Sequence, residues 1–243
     1  MKLDVLVFEA HPDDMELSCG GTVAKMSKQG YAVGVVALTK AELGTRGTPE
    51  ERRREFEASA NVLGLRAWDV LDIPDGNIAN TPENRERIIR AIRRYRPQLV
   101  LAPYWLDRHP DHANASVVVR EACFYAGLAK IDTGQPPHRP GTVVYYPLHY
   151  EFTPTLVVDI TDTFETKLAA IHCYTSQFHS RDNRFDSEPQ TYISSAEFLQ
   201  VIETRARYWG SKIGATYGEP FLWNGPVPVS DLPGTFAKIS DLR

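Results

Sequence analysis

Two short segments of the chain are dense in side chains that bind divalent metals. The first, His11-Pro12-Asp13-Asp14-Met15-Glu16, combines an imidazole with three carboxylates, and the second, His109-Pro110-Asp111-His112, has two histidines three positions apart. Two His and one Asp form a common catalytic zinc set, which leaves a fourth position for water. Clustered carboxylates next to an apolar segment would also repel one another without a cation. Together the segments predict one metal site.

A carboxylate beside such a site, but not bound to the metal, can act as a general base. Asp13 adjoins Asp14 and is the candidate for removing a proton from water. Attack on a carbonyl also needs a positive partner for the oxyanion. His109, if it is not a ligand, could be that partner in its protonated form. Asp111 could keep His109 protonated, because a neighbouring carboxylate raises the pKa of an imidazole.

Each segment alone also has an ordinary structural interpretation. The first could be a turn and helix cap, since Asp favours such positions. Two histidines three apart share a helix face and could lie on a surface helix without function. These interpretations lose weight because the segments lie after the first and fourth predicted strands, and they would converge if those strands are neighbours. A metal-dependent phosphohydrolase, which typically uses two metals, and a non-catalytic carbohydrate-binding or metal-storage module remain the alternatives of other classes.

Alternating strands and helices must position the two segments. Apolar runs predict strands at 3–10, 31–38, 67–71, 98–103, 143–146 and 156–159. Start and stop signals predict helices at 18–28, 48–63, 81–95, 111–129, 164–174 and 195–212. This order predicts an α/β fold, with a Rossmann-like, mainly parallel sheet, helices on both faces and a small C-terminal lobe. Ligands in such sheets bind beyond the carboxyl ends of the strands, where both segments lie.

The composition is that of an ordinary globular protein. The 243 residues have a net charge of −4, with 42% hydrophobic and 24% charged residues, so nothing indicates nucleic acid or an acidic membrane as a partner. No apolar run reaches the roughly 18 residues of a membrane helix, and three scattered cysteines predict no disulfide framework. We expect a cytoplasmic protein with a single domain, 1–243, in which 1–135 holds the metal site and 136–243 completes the fold.

The sequence resembles the LmbE-like, or PIG-L, family of zinc-dependent N-deacetylases. The resemblance lies in residues 10–17, in Cys19-Gly20-Gly21-Thr22 and in His109-Pro110-Asp111-His112. It implies one zinc ion per chain, or another divalent ion such as Fe²⁺. It further implies that the metal ligands are His11, Asp14 and His112, that Asp13 is the general base, and that His109 assists the oxyanion.

Other segments resemble the branch of this family that includes bacillithiol-biosynthesis deacetylases, among them 42–47, 52–55, 74–76 and 217–221. This resemblance implies a small-molecule amino-sugar substrate, N-acetylglucosaminyl-malate, and other N-acetylated amino sugars are the alternative. It also implies that the protein is a homo-oligomer, namely a hexamer. It also implies that Arg52 and Glu42 bind substrate, although Arg52 could instead belong to a solvated helix face. Met15 and Ser18 stand where the family often has smaller residues, which predicts a difference in packing only.

Overall fold

A five-stranded parallel sheet forms the centre of the molecule. The computed structural model describes residues 1–179, 185 and 187–237. The strands are β1 (Val5–Glu9), β2 (Val33–Ala37), β3 (Ala67–Val70), β4 (Leu99–Pro103) and β5 (Thr142–Tyr146), in the order β3-β2-β1-β4-β5. All neighbouring pairs are parallel. Because β1 and β4 are neighbours, the two segments that follow them emerge side by side.

Helices cover both faces of this sheet, which confirms the predicted fold class. In the described part of the chain they are α1 (Asp14–Lys28), α2 (Pro49–Val62), α3 (Pro82–Tyr95), α4 (Pro110–Tyr125), α5 (Phe164–Ile171), α6 (Ala196–Ser211) and α7 (Leu232–Phe236). One apolar core joins the sheet to α3 and α4, and the other joins it to α1, α2, α5 and α6. Alternate strand residues feed the two cores: Leu6 and Phe8 enter the first, Val5 and Val7 the second. Among the described helices, none has the length and apolar character that crossing a lipid bilayer requires.

The C-terminal part of the chain both completes the central sheet and adds a small second one. Strand β5 belongs to the central sheet, whereas β6 (Leu156–Asp159) pairs antiparallel with β7 (Gly218–Phe221). The sequence predicted β6 but neither β7 nor α7; the Gly and Pro of β7 are uncommon in strands. Residues 180–184, 186 and 238–243 of the predicted C-terminal part lie outside the described residues.

Helix α1 begins four residues before the predicted start at Ser18. It starts at Asp14 and passes through a non-helical residue, Cys19, with φ −131° and ψ 17°. Beyond this kink, the backbone N–H groups of Gly21 and Thr22 donate to the carboxylate of Glu219, at 3.0 and 2.7 Å. The predicted metal-binding segment after β1 therefore ends in the first turn of a helix whose middle is anchored to β7.

Candidate metal centre and active site

The two predicted metal-binding segments meet at the carboxyl edge of the sheet. His11 and Asp14 follow β1, and His112 lies in the first turn of α4. Asp14 Oδ2 is 3.5 Å from His11 Nδ1, and Asp14 Oδ1 is 3.2 Å from His112 Nε2. One donor atom from each of the three lies within 4.8 Å of the others. A single divalent ion could therefore contact all three.

Both histidines direct their other ring nitrogen at carboxylates. His11 Nε2 is 2.9 Å from Asp75 Oδ1 and 3.4 Å from Asp111 Oδ2. His112 Nδ1 is 3.0 Å from Asp107 Oδ1. Carboxylates in these positions fix the tautomer and the orientation of a metal-binding imidazole. His11 Nδ1 and His112 Nε2 are left to face Asp14, which is the arrangement that a shared ion requires.

The electrostatics of the site also suit a cation. Burial raises the pKa of Asp14, but His112 and His11 outweigh this effect and hold that pKa well below its usual range. Burial lowers the pKa of His112, whereas Asp14 and the Asp107 hydrogen bond raise it to about 9. The carboxylates around the two imidazoles therefore stabilise a positive charge at this place, and a divalent ion can supply that charge. The donor set and its charge fit zinc.

Asp13 lies beside this cluster in an unusual backbone conformation. Its φ of 117° and ψ of −21° fall in the left-handed region that L residues rarely adopt. Arg52 Nη1 donates to Asp13 Oδ2 at 2.9 Å and to the carbonyl of Pro12 at 2.7 Å. Burial raises the pKa of Asp13 to about 7, although Arg52 acts to lower it. Backbone strain held by such contacts is typical of functional sites.

Arg52 is buried, with 6% of its surface exposed. The alternative of a solvated helix face is therefore wrong for this residue. Because the side chain bonds to Asp13 and also lines the cavity in front of the cluster, it joins the predicted base to the space where a substrate would lie. Its role in substrate binding stays a prediction.

The contacts of His109 and Asp111 differ from the prediction that the Asp111 carboxylate keeps His109 protonated. The Asp111 carboxylate accepts the N–H groups of Gly76 and Ile78, at 2.8 and 3.2 Å, and approaches His11. His109 Nδ1 accepts the backbone N–H of Asp111 at 3.2 Å. Burial and the nearby His112 lower the pKa of His109, although Asp111 acts to raise it. These contacts favour a neutral His109 with its proton on Nε2 rather than an imidazolium maintained by Asp111.

An open cavity of about 400 Å³ leads to the cluster. Its walls include the three predicted ligands, Asp13, Arg52 and His109, together with side chains from later elements such as Gln177 and Phe198. A cavity of this volume can hold a small organic substrate. Glu42 does not line it; Glu42 Oε1 instead accepts the N–H of Asp75 at 2.9 Å. Glu42 is thus placed to position Asp75 rather than to touch a substrate in this cavity.

Three residues of the site were not assigned to it from the sequence. Asp75 follows β3, Asp107 follows β4, and His149 follows β5. His149 Nδ1 is 2.9 Å from Asp107 Oδ1, the same oxygen that contacts His112. All three follow parallel strands that end at the same edge of the sheet. Asp75, Asp107 and His149 therefore carry the same sequence signal as His11 and His112, a polar side chain placed after a parallel strand.

The chain is similar to known proteins over most of its length. Residues 6–123 match the family described as PIG-L: GlcNAc-PI de-N-acetylase. The diacetylchitobiose deacetylase of Thermococcus kodakarensis is 33% identical over 97% of this chain and 85% of its own length. The 4-oxalmesaconate hydratase of Pseudomonas putida is 30% identical over 72% of this chain and 74% of its own. The crystal structure of a conserved protein of Thermus thermophilus has a TM-score of 0.83 and 38% identity, covering 95% of this chain and 98% of that one.

Proposed function

The chain belongs to the PIG-L family, and on that premise we propose that it hydrolyses the acetamide of an N-acetylglucosaminyl conjugate to acetate and a free amine. One observation carries the proposal: Asp13 lines the cavity next to the cluster of His11, Asp14 and His112, yet is not a member of it. A carboxylate so placed can serve as a base. The similarity to a diacetylchitobiose deacetylase supports an N-acetylated amino sugar as the substrate.

The side chains present fit one zinc ion per chain, held by His11, Asp14 and His112. Asp75 and Asp107 would orient the two imidazoles. Zinc in this position would polarise the substrate carbonyl and make a water molecule in the site easier to deprotonate. Fe²⁺ accepts the same kinds of ligand and is the alternative ion.

The remaining steps fall to side chains of the chain itself. Asp13 removes the proton from water as the water attacks the acetamide carbon, and then delivers that proton to the leaving amine. Arg52 holds Asp13 in position through the 2.9 Å contact. The Nε2 proton of His109 donates a hydrogen bond to the carbonyl oxygen as negative charge develops there. A neutral imidazole is sufficient for this step, so the proposal does not need Asp111 to keep His109 charged.

For the group attached to the sugar we propose malate. Three arginines, Arg52, Arg108 and Arg205, line the cavity, and guanidinium groups pair well with carboxylates. The segments that resemble bacillithiol-biosynthesis deacetylases support the same substrate, and the same resemblance supports assembly as a homohexamer.

A second candidate function is the hydration of an unsaturated polycarboxylic acid. The similarity to a 4-oxalmesaconate hydratase supports it, and the three cavity arginines would suit such a substrate as well. Hydration adds water across a carbon–carbon double bond and releases neither acetate nor an amine. The products therefore separate the two functions.

The deciding experiment is an assay of the zinc-loaded protein, with and without a chelator, on a panel of substrates. The panel contains N-acetylglucosaminyl-malate, N-acetylglucosaminyl-inositol, N,N′-diacetylchitobiose and 4-oxalmesaconate. We expect free amine and acetate in equal amounts, fastest from the malate conjugate and suppressed by the chelator. Hydration of 4-oxalmesaconate without amine release from any conjugate would overturn the deacetylase proposal in favour of the second candidate.

A further inference from the structure

A small pocket lies against the active-site cavity, bounded by α1 and α6 and by the buried Lys167–Glu219 ion pair of α5 and β7. It has a volume of about 20 Å³ and shares four wall residues with the cavity, namely Leu17, Ser18, Ile202 and Arg205. These side chains form the boundary between the two spaces. A volume of this size holds about one water-sized group, so the pocket extends the cavity by roughly the space of one polar atom.

Three residues that line the small pocket carry polar groups without described partners. Ser18 Oγ and Trp209 Nε1 are buried and have no hydrogen-bond partner within the described ranges. Their residues are 7% and 8% exposed, and both line the small pocket. The half-buried guanidinium of Arg205 likewise makes no hydrogen bond or ion pair with a described residue. Buried polar groups in proteins are nearly always paired, so two buried groups without partners, beside a half-buried guanidinium on the same pocket, point to a ligand.

The chemistry of these groups indicates which ligand would satisfy them. A guanidinium and an indole N–H can only donate hydrogen bonds, and a serine hydroxyl can donate one as well. Their common partner is a group rich in acceptors, and Arg205 favours one with negative charge. Burial lowers the pKa of Arg205, while Glu151 and Asp107 act on it through space to raise it. Neither carboxylate bonds to it, and Asp107 is already occupied by His112 and His149.

We propose that Arg205 and Ser18, backed by Trp209, form an anion subsite that binds a carboxylate or phosphate on the group attached to the amino sugar. The inference rests on the proposed deacetylase function for the identity of the sugar, but not for the anion. Arg205 and Trp209 belong to α6, whereas the predicted metal ligands follow β1 and β4, and Ser18 lies on α1 four residues after Asp14. The acidic group and the acetamide would therefore bind side by side in one cavity. Such a subsite acts on substrate affinity rather than on the chemical step.

The test compares Arg205→Met with a matched control on the same helix, Arg207→Met. Arg207 is exposed and bonds to Glu203 and Tyr217, away from the cavity walls. On N-acetylglucosaminyl-malate we expect Arg205→Met to raise KM about 10- to 100-fold, the loss typical of a charged hydrogen bond, with kcat within about twofold of wild type. Arg207→Met should leave both constants near wild type. Melting curves of both variants establish that they fold.

Neutral substrates separate anion recognition from a general loss of function. On the dimethyl ester of the malate conjugate and on N,N′-diacetylchitobiose, we expect Arg205→Met to change kcat/KM by less than about twofold. Ser18→Ala should show the same selectivity with a smaller loss, about two- to tenfold. N-acetylglucosamine 1-phosphate, used as a competing ligand, shows whether a phosphate binds in place of a carboxylate. Equal losses on acidic and neutral substrates, or no change in KM on the acidic one, would overturn the subsite.

Calorimetric binding keeps this test independent of the reaction. If no conjugate is deacetylated, the proposed function fails, and titration of N-acetylglucosaminyl-malate into the wild type and Arg205→Met decides the subsite alone. Binding by the wild type that weakens at least tenfold in Arg205→Met, but not in Arg207→Met, supports it. Equal binding by the three proteins, or none by the wild type, overturns it.

Discussion

Asp13 and Asp14 are adjacent residues with the same side chain, yet the fold gives them different surroundings. Asp14 faces His11 and His112, and these imidazoles hold its pKa well below the usual range in spite of its burial. Asp13 faces Arg52, and burial raises its pKa to about 7 in spite of that partner. Surroundings that separate the properties of two carboxylates allow one to bind a metal while the other transfers protons.

The separation of roles predicts the behaviour of Asp13→Asn. Asparagine is nearly the same size as aspartate and is among the residues that best tolerate positive φ, so the backbone at φ 117° should persist. The amide cannot accept a proton from water. We expect full zinc content by elemental analysis and a loss of turnover of about 10²- to 10⁴-fold.

The matched control is Asp14→Asn, one residue along the chain, which should lose zinc as well as activity. Turnover near that of wild type in Asp13→Asn would refute its role as the base. Loss of zinc from Asp13→Asn would instead place Asp13 among the ligands.

Asp107, which the sequence analysis did not assign to the site, contacts several of its histidines. Its Oδ1 accepts from His112 Nδ1 and His149 Nδ1, and from the backbone N–H of His109. A carboxylate behind a metal-binding imidazole raises its basicity and fixes its orientation. Asp107→Asn keeps the shape but removes the charge, and we expect zinc affinity to fall about 10- to 100-fold in competition with a chromogenic chelator. Asp132→Asn, at an exposed turn, should not alter zinc affinity, and equal affinities in the two variants would contradict the assignment.

At the scale of the elements, α1 is shaped by β7 although almost 200 residues separate them in sequence. Glu219 of β7 accepts two N–H groups of α1, from Gly21 and Thr22, and pairs with Lys167 of α5 at 2.6 Å. Both members of the pair are nearly fully buried. Glu219 thereby joins three elements behind the first turn of α1, where Asp14 lies.

Because Glu219 joins these elements, its removal should cause a large loss of stability, and removal of Lys167 as well should restore part of it. Glu219→Ala leaves the buried ammonium of Lys167 without a partner, and we expect a cost of about 3–5 kcal/mol in urea denaturation. Lys167→Met on the same background removes the unpaired charge, so the double variant should be more stable than Glu219→Ala alone. A surface control, Glu86→Ala, breaks an exposed pair with Arg90, to which all described contacts of the Glu86 carboxylate belong, and should cost less than about 1 kcal/mol. Additive losses in the double variant would show that the pair is not coupled.

At the scale of the whole molecule, the sequence predicted the sheet and the edge at which the site lies, because both follow from short-range patterns. Buried strands that alternate with capped helices leave few topologies, and parallel strands place their carboxyl ends together. Contacts between distant parts of the chain were not accessible in this way. The start of α1 at Asp14 depends on a positive φ at Asp13 that Arg52 supports. The pairing of β7 with β6 depends on a partner about 60 residues away.

The position of the cluster between two βα units predicts that the metal stabilises the whole molecule. His11 and Asp14 follow β1 and His112 follows β4, so an ion bound by all three would link the halves of the sheet and would bind the folded state far more tightly than the unfolded one. At a free zinc concentration about 100 times the dissociation constant, the gain is about 2.7 kcal/mol. For a protein of this size, that gain raises the unfolding temperature by about 5–10 °C.

Differential scanning fluorimetry with zinc and with excess chelator measures this shift. His112→Ala should melt at the same temperature in both conditions, because one of its three ligands is missing. His138→Ala, which removes an imidazole bonded to the carbonyl of Pro97 away from the cluster, should retain the full shift and so controls for zinc binding to histidines in general. An equal zinc-dependent shift in His112→Ala and wild type would place the stabilising ion elsewhere and would contradict a metal site formed by His11, Asp14 and His112.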